Sequence, residues 1–175
     1  DTYFFASNRT TQSIDMWAYK DSDIRLDIID MNFALAKEPL IQMLSNINIY
    51  GICAGNDPQL GLIVFATEDG GPSVELWQYS NNTLKLLTTF SNNGESEGCV
   101  YDDENRTLFI SEENTNGVLK AYQVNDSLDF DSAIIIDSRA GNIGGDPEGV
   151  AIYKTSLLSG YVVLSSQGDS KYNLY

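Results

Sequence analysis

Acidic residues fall at matching places in successive copies of one repeated unit. The segments that carry them are Glu97-Gly98-Cys99, Glu112-Glu113 and Asp146-Pro147-Glu148-Gly149. Carboxylates that converge with few cations nearby repel one another unless a metal ion neutralises them. Calcium is the natural candidate, because it takes about six to eight hard oxygen ligands. The pattern therefore predicts a calcium site built from these acids.

The repeat itself shows in the glycines and in the apolar runs that follow them. Gly51, Gly98 and Gly149 stand 47 and 51 residues apart. Each opens a short apolar run, and further runs follow that are rich in β-branched and aromatic residues and separated by turn-forming residues. A four-strand unit recurring at this period is typical of a propeller blade. We therefore predict an all-β fold, a β-propeller of four-stranded antiparallel blades.

The repeat does not complete a ring within this sequence. The predicted blade parts cover residues 1–31, 48–90, 97–138 and 148–175 of a single partial domain, 1–175. Segment 31–45 breaks the pattern and fits either a helical turn or a long connection. About 3.5 blades is fewer than the roughly four to eight of closed propellers, so blade faces and strand edges would be exposed. We expect a neighbouring propeller part, or a second copy related by two-fold symmetry, to complete the ring.

Composition excludes several classes of function. The formal net charge of −15 argues against nucleic-acid binding, because no basic patch could neutralise a phosphate backbone. No apolar stretch approaches the length of a membrane span. The chain contains no histidine, which removes His-based zinc sites, Ser-His-Asp triads and a histidine base for a cysteine nucleophile.

The two cysteines are predicted to be structural and unpaired with each other. Cys99 directly follows its motif glycine, whereas Cys53 lies two residues after the corresponding one. Successive strand residues point to opposite faces. This offset therefore disfavours a disulfide between them.

Candidate metal ligands follow from position in the repeat. Glu97 and Glu148 precede equivalent glycines, so they should lie near each other at one mouth of the channel, although solvated acids at strand starts remain an alternative. Glu113 ends a strand whose alternation carries it out of the core, where it could equally be a surface acid. Asp146 flanks Pro147, which favours an extended approach to the site, but it could also be a turn residue.

Three further residues are candidate substrate contacts. Arg9 ends a strand at the place that Glu113 and Asp169 approach in later blades, and it could bind phosphate or pair with an acid. Tyr50 stands where the other copies carry glutamate and is either a ligand-facing hydroxyl or a core aromatic. Gln167 lies beyond the last apolar residue of its strand and could be a turn amide.

Together these segments resemble the β-propeller phytases, in the same order along the chain. The stretches that carry the resemblance are Ala6-Ser7-Asn8-Arg9, Tyr50-Gly51, Glu97-Gly98, Asp102-Asp103-Glu104, Leu108-Phe109-Ile110-Ser111-Glu112-Glu113, Asp146-Pro147-Glu148-Gly149 and Leu164-Ser165-Ser166-Gln167-Gly168. The resemblance implies a six-bladed ring about twice this length. It also implies a secreted or periplasmic, mainly bacterial, 3-phytase whose export signal lies outside this sequence.

The resemblance also implies an activity, a cofactor and roles for the candidate residues. Family members are calcium-dependent phosphomonoesterases that cleave phosphate from inositol hexakisphosphate (phytate). Calcium ions screen the acids, bind substrate phosphates and activate the attacking water. Residues that match the calcium-binding, catalytic acids are Glu97, Glu113, Asp146 and Glu148. Residues that match the substrate and mouth contacts are Arg9, Tyr50 and Gln167.

One departure from the family pattern leaves the function open between three hypotheses. The family has a phosphate-binding lysine at the end of the second strand of the Tyr50 blade. This sequence reads Thr67-Glu68-Asp69-Gly70 there, and an aspartate would repel phosphate. The chain is therefore part of a catalytic phytase ring, an incomplete accessory domain that binds Ca²⁺ or calcium phytate, or a propeller scaffold for protein contacts.

Overall fold

Antiparallel sheets make up the fold. The computed structural model describes residues 2–19, 38–113 and 116–175. Within these residues the regular elements are fourteen strands: β1 Thr2–Asn8, β2 Ser13–Tyr19, β3 Ile41–Leu44, β4 Ile49–Asp57, β5 Gly61–Glu68, β6 Ser73–Ser80, β7 Thr83–Ser91, β8 Ser96–Asp102, β9 Thr107–Glu112, β10 Val118–Gln123, β11 Ile134–Ser138, β12 Asp146–Ser156, β13 Ser159–Gln167 and β14 Lys171–Leu174. The described part of the chain contains no helix with the length and apolar character that crossing a membrane requires.

The strands form four sheets, which we call blades 1 to 4. Their orders are β1-β2-β3, β4-β5-β6-β7, β8-β9-β10-β11 and β12-β13-β14. Every neighbouring pair is antiparallel and follows chain order, as expected for meanders joined by short turns. The predicted all-β, propeller-like fold is confirmed.

Blade 1 contains a strand that the sequence did not suggest. Ile41–Leu44 pairs with β2, with Met43 opposite Ile14 and Gln42 opposite Asp15. Segment 31–45 therefore ends in a strand. The run Leu26–Asp30, which was predicted as the outer strand of this blade, lies outside the described residues.

Hydrophobic cores lie between successive blades. The core between blades 2 and 3 is built around Phe65, Ile110 and Tyr122, all almost fully buried. A second core joins blades 1 and 2 through residues such as Ile14 and Trp77, and a third joins blades 3 and 4. Because each blade buries a face against its neighbour, the order of the blades fixes where their ends meet.

Blade 4 buries one face and exposes the other. Val150, Val162 and Leu164 belong to the core shared with blade 3. On the opposite face, Tyr153 pairs with Tyr161 in the sheet, and these side chains are 64% and 50% exposed. Exposed apolar surface of this kind marks a place where another molecule or segment packs.

Cys53 and Cys99 form a disulfide, so the prediction that they remain unpaired is wrong. Their Cα atoms lie 5.7 Å apart, and both side chains pack into the core between blades 2 and 3. The sequence argument placed them on opposite faces of their strands, which is where they are. The error was in the consequence, because neighbouring blades meet through opposite faces. The bridge therefore joins the innermost strands β4 and β8.

Reduction of this disulfide should destabilise the fold. The bridge closes a loop with a sequence separation of 46, and constraining the unfolded chain in this way is worth about 2–4 kcal/mol. Urea unfolding with and without reductant should show a loss of that size for the wild type. The Cys53→Ser/Cys99→Ser double variant should unfold alike under both conditions. Two reactive thiols in the unreduced, denatured wild type would contradict the pairing.

Candidate metal and phosphate site

A register shift at the start of three inner strands directs side chains to one end of the blades, here called the rim. The ladders shift between Ile49 and Ile52, between Ser96 and Gly98, and between Pro147 and Val150. The residues in these shifts include Tyr50, Glu97 and Glu148. A bulge re-aims a side chain that would otherwise continue the alternation, which explains why these three residues occupy equivalent places.

The rim also receives the ends of the second strands. Glu113 donates its amide to Glu95 over 3.0 Å, and Asp69 donates to Asn48 over 2.7 Å in the equivalent place of blade 2. The same register puts Arg9 and Gln167 at this place in blades 1 and 4. The sequence interpretation that Asp169 approaches the Arg9 position is therefore off by two residues, because Gln167 is the residue that pairs with Asp146 across the sheet.

Three glutamates from two blades converge at the rim. One carboxylate oxygen from each of Glu97, Glu113 and Glu148 lies within 4.8 Å of the others. We call these residues the carboxylate triad. Each side chain is partly exposed, so the cluster is open to solvent. The structure therefore brings together three of the four predicted metal ligands, whose binding roles stay predictions.

The electrostatics of the triad are unfavourable without a cation. Burial, and then the charges of Glu148 and Glu113, raise the pKa of Glu97 to about 7. Burial and the charges of Glu113 and Asp146 raise the pKa of Glu148. Among the ion pairs of the described residues, none involves a triad member. The cluster therefore favours either a proton or a metal ion.

Glu112 and Glu113 are adjacent but have separate environments. Glu112 is 2% exposed and forms an ion pair with the Lys120 ammonium group, which also donates to the Asn92 carbonyl over 2.5 Å. Alternation along β9 directs Glu112 into the blade and lets Glu113 reach the rim. Only one carboxylate of this pair is therefore available to the site.

Asp146 and Gln167 lie at the rim but outside the triad. The Asp146 carboxylate forms an ion pair with Arg139, which follows β11 of the neighbouring blade. Its charge still reaches Glu148, whose pKa it raises. Gln167 is exposed and pairs with Asp146 through the backbone. Calcium binding by Asp146 would compete with its ion pair.

Arg9, Tyr50 and Asp69 form a second cluster next to the triad. The Arg9 guanidinium lies 4.7 Å from the centre of the Tyr50 ring, a cation–π distance. Its Nη2 donates to Asp69 Oδ2 over 2.8 Å. The charge of Glu97, together with burial, raises the pKa of Tyr50. The sequence suggested that Asp69 would repel phosphate but did not indicate that it would pair with Arg9.

The donor set of the triad fits calcium. Ca²⁺ lies about 2.3–2.6 Å from each oxygen ligand, so two ligands of one ion can be up to roughly 5 Å apart. The triad oxygens satisfy that limit. Oxygen-only donors also suit Ca²⁺ or Mg²⁺ better than softer metals. Glu97, Glu113 and Glu148 are thus the residues that would hold the ion.

Comparison with known proteins agrees with this arrangement. A family model described as Phytase matches residues 4–175. The chain belongs to the phytase family. A 3-phytase from Bacillus subtilis (strain 168) is 29% identical over 93 residues, which is 53% of this chain and 24% of that protein. The chain thus matches only a minor part of that relative.

Similar solved structures agree on the fold alone. A candidate 6-phosphogluconolactonase from Bacteroides uniformis superposes with a TM-score of 0.66 at 12% identity, covering 99% of this chain and 46% of that one. A protein of unknown function from Desulfotomaculum acetoxidans has a TM-score of 0.59 at 11% identity, covering 99% and 50%. Like the family match, these likenesses place the chain at about half of a larger β-structure.

The stability of the metal-free protein should fall as pH rises from about 5 to 8. The pKa of Glu97 is near 7 in the fold and about 4.3 in an unfolded chain. The folded state therefore binds more protons in this window, and its contribution is lost as pH rises through the folded value. Urea unfolding in chelator should show this slope, and Glu97→Gln should reduce it.

Glu95→Gln is the matched control for that experiment, since it removes an acid from the same loop but outside the triad. Equal slopes for Glu97→Gln and the wild type would show that the glutamates do not approach one another in solution.

Proposed function

We propose that this chain is part of a calcium-dependent phosphomonoesterase that releases phosphate from myo-inositol hexakisphosphate. The observation that carries the proposal is the triad, an open cluster of three carboxylates with oxygen atoms within 4.8 Å, in a chain of the phytase family. Phytate is a polyanion, so the acidic rim cannot attract it directly. A cation held by the triad would reverse the local charge.

The triad and its neighbours divide the proposed work. Bound calcium would neutralise the carboxylates, orient substrate phosphates and act as a Lewis acid. Glu97, Glu113 and Glu148 hold it from two blades. Three side chains leave room for ligands from substrate and solvent, because Ca²⁺ takes about six to eight.

Arg9 is the proposed phosphate contact of the protein itself. A guanidinium can donate two parallel hydrogen bonds to a phosphate. The face of the Tyr50 ring holds this cation beside the rim, with 4.7 Å from guanidinium carbon to ring centre. Tyr50 also neighbours Glu97, whose charge raises its pKa. These contacts place an anion-binding group next to the metal ligands.

Asp69 favours a second candidate function, a non-catalytic phytase-like domain that binds Ca²⁺ or calcium phytate. Its carboxylate occupies the Arg9 guanidinium and adds negative charge where the family has a lysine. Substrate phosphate would have to displace it. Such a domain would bind calcium through the triad without turning over substrate.

We also propose that the protein works outside the cytoplasm. The Cys53–Cys99 disulfide is the supporting observation, because disulfides persist in oxidising compartments and are rare in reducing ones. This agrees with the secreted or periplasmic location implied by the family resemblance.

The deciding experiment measures phosphate release from phytate with Ca²⁺ and with chelator. Thermal stability and solution mass are measured on the same sample. Calcium-dependent release supports the enzyme. Calcium-dependent stabilisation of about 2.7 kcal/mol at one hundred times the dissociation constant, without release, supports the accessory domain. Neither effect would contradict both. A mass twice that of the 19.3 kDa chain would support the predicted homodimer.

The Glu97→Gln/Glu148→Gln variant tests whether the triad is responsible. It should lose most of the stabilisation by calcium, because two of three ligands lose their charge. Asp126→Asn/Asp131→Asn is the matched control, since it removes two exposed acids outside the triad. A full calcium response of the triad variant would place the metal elsewhere.

Asp69→Asn should strengthen phosphate binding in the presence of Ca²⁺ by up to about fivefold. Exposed ion pairs contribute roughly 0.2–1 kcal/mol, and this variant releases Arg9 from one of them. The measurement is the apparent KM for phytate, or its dissociation constant if there is no turnover. Asp126→Asn breaks another exposed Arg–Asp pair, with Arg106 at 2.9 Å, and should have no effect. Equal affinities for both variants would show that Asp69 does not compete with phosphate.

A further inference from the structure

A buried hydroxyl lies behind the triad at the boundary between blades 3 and 4. Ser111 is fully buried on β9, two residues before Glu113. Its Oγ donates to the Glu148 carbonyl of the next blade and lies 3.2 Å from the Gly98 carbonyl of its own blade. Gly98 directly follows Glu97. One hydroxyl therefore contacts the backbone beside two triad members and shares a strand with the third.

The same contact recurs at the first blade boundary. Ser7 Oγ donates to the Tyr50 carbonyl over 2.7 Å, and Tyr50 is the blade 2 equivalent of Glu148. At the middle boundary Thr67 is buried in the equivalent place and accepts the Gly51 amide over 3.0 Å. A hydroxyl on each second strand thus lies beside the bulge that aims a rim residue.

The glycine of the motif makes this close approach possible. A Cβ built on Gly98 would stand 2.6 Å from the Glu148 carbonyl oxygen and 3.1 Å from Ser111 Oγ. No real Cβ tolerates the first distance, so any other residue would push the blades apart. The Glu148 peptide is therefore held against blade 3 by the space at Gly98 and the hydrogen bond from Ser111.

We propose that Ser111 is a positioning residue that holds Glu148 at the distance from Glu97 and Glu113 that binding one cation requires. Its hydrogen bond fixes the orientation of the Glu148 peptide within the bulge, and that orientation sets where the carboxylate points. Without the bond, a buried carbonyl loses its partner and the peptide rotates to find another. This inference rests on the proposed calcium site.

The test is calcium titration by calorimetry of the full chain at a temperature at which every variant is folded. Ser111→Ala should weaken calcium binding on the order of tenfold, which corresponds to about 1.4 kcal/mol for one lost hydrogen bond to a buried group. Ser111→Thr should restore it, because Thr67 shows that the fold accepts threonine in the equivalent place. Ser111→Cys keeps the volume with a weak donor, and it replaces the alanine variant if that one fails to fold.

Ser7→Ala is the matched control. It removes the same kind of bond at a boundary that carries no triad member, so it should lower stability while changing calcium affinity by less than about twofold. Equal calcium affinities of Ser111→Ala, Ser7→Ala and the wild type would overturn the proposal. So would a threonine variant as weak as the alanine one.

A metal-free readout separates this inference from the proposed function. Crystal structures of the wild type and Ser111→Ala in chelator should show the triad oxygens within 4.8 Å only in the wild type. If the wild type binds no calcium, the proposed function fails, and these structures still decide whether Ser111 positions Glu148. An unchanged triad in the variant would overturn the positioning role.

Discussion

Repulsion between three glutamates at the rim is the constraint on which the rest of the site depends. Like charges this close raise one another's pKa, as the value near 7 for Glu97 shows. The carboxylates would separate if their strands could move. The cores between blades and the Cys53–Cys99 disulfide supply the free energy that keeps the strands in place. The fold thus holds an arrangement of charge that a cation would complete.

Cations of the protein stand beside the triad rather than within it. Arg9 pairs with Asp69 on one side, and Arg139 pairs with Asp146 on the other. Glu112, which could have added a fourth charge, is neutralised inside its blade by Lys120. The metal-free rim is therefore negative at its centre and paired at its margins. An ion bound at the centre would change how both margins meet an anion.

Contacts between blades, rather than contacts within them, position the site. The Cys53–Cys99 bridge, the Ser7–Tyr50 bond and the Ser111–Glu148 bond all connect neighbouring sheets. The disulfide was excluded from the sequence because residues on opposite faces were compared as if they belonged to one sheet. In stacked blades the opposite faces are the ones that meet. The same geometry lets a hydroxyl on one blade reach a carbonyl on the next.

The sequence by itself determined the strands of blades 2 to 4, the repeat and the rim positions of Glu97, Glu113 and Glu148. Glycine spacing and alternation are local properties that can be read along the chain. It did not indicate strand β3, since Ile41–Leu44 is short and paired only by context. The tertiary structure alone decided that Arg9 meets Asp69, 60 residues away, that Asp146 pairs with Arg139, and that Ser111 reaches Glu148. These partners lie on different blades, so their distances depend on how the blades stack and on the register of each bulge, which no local pattern encodes.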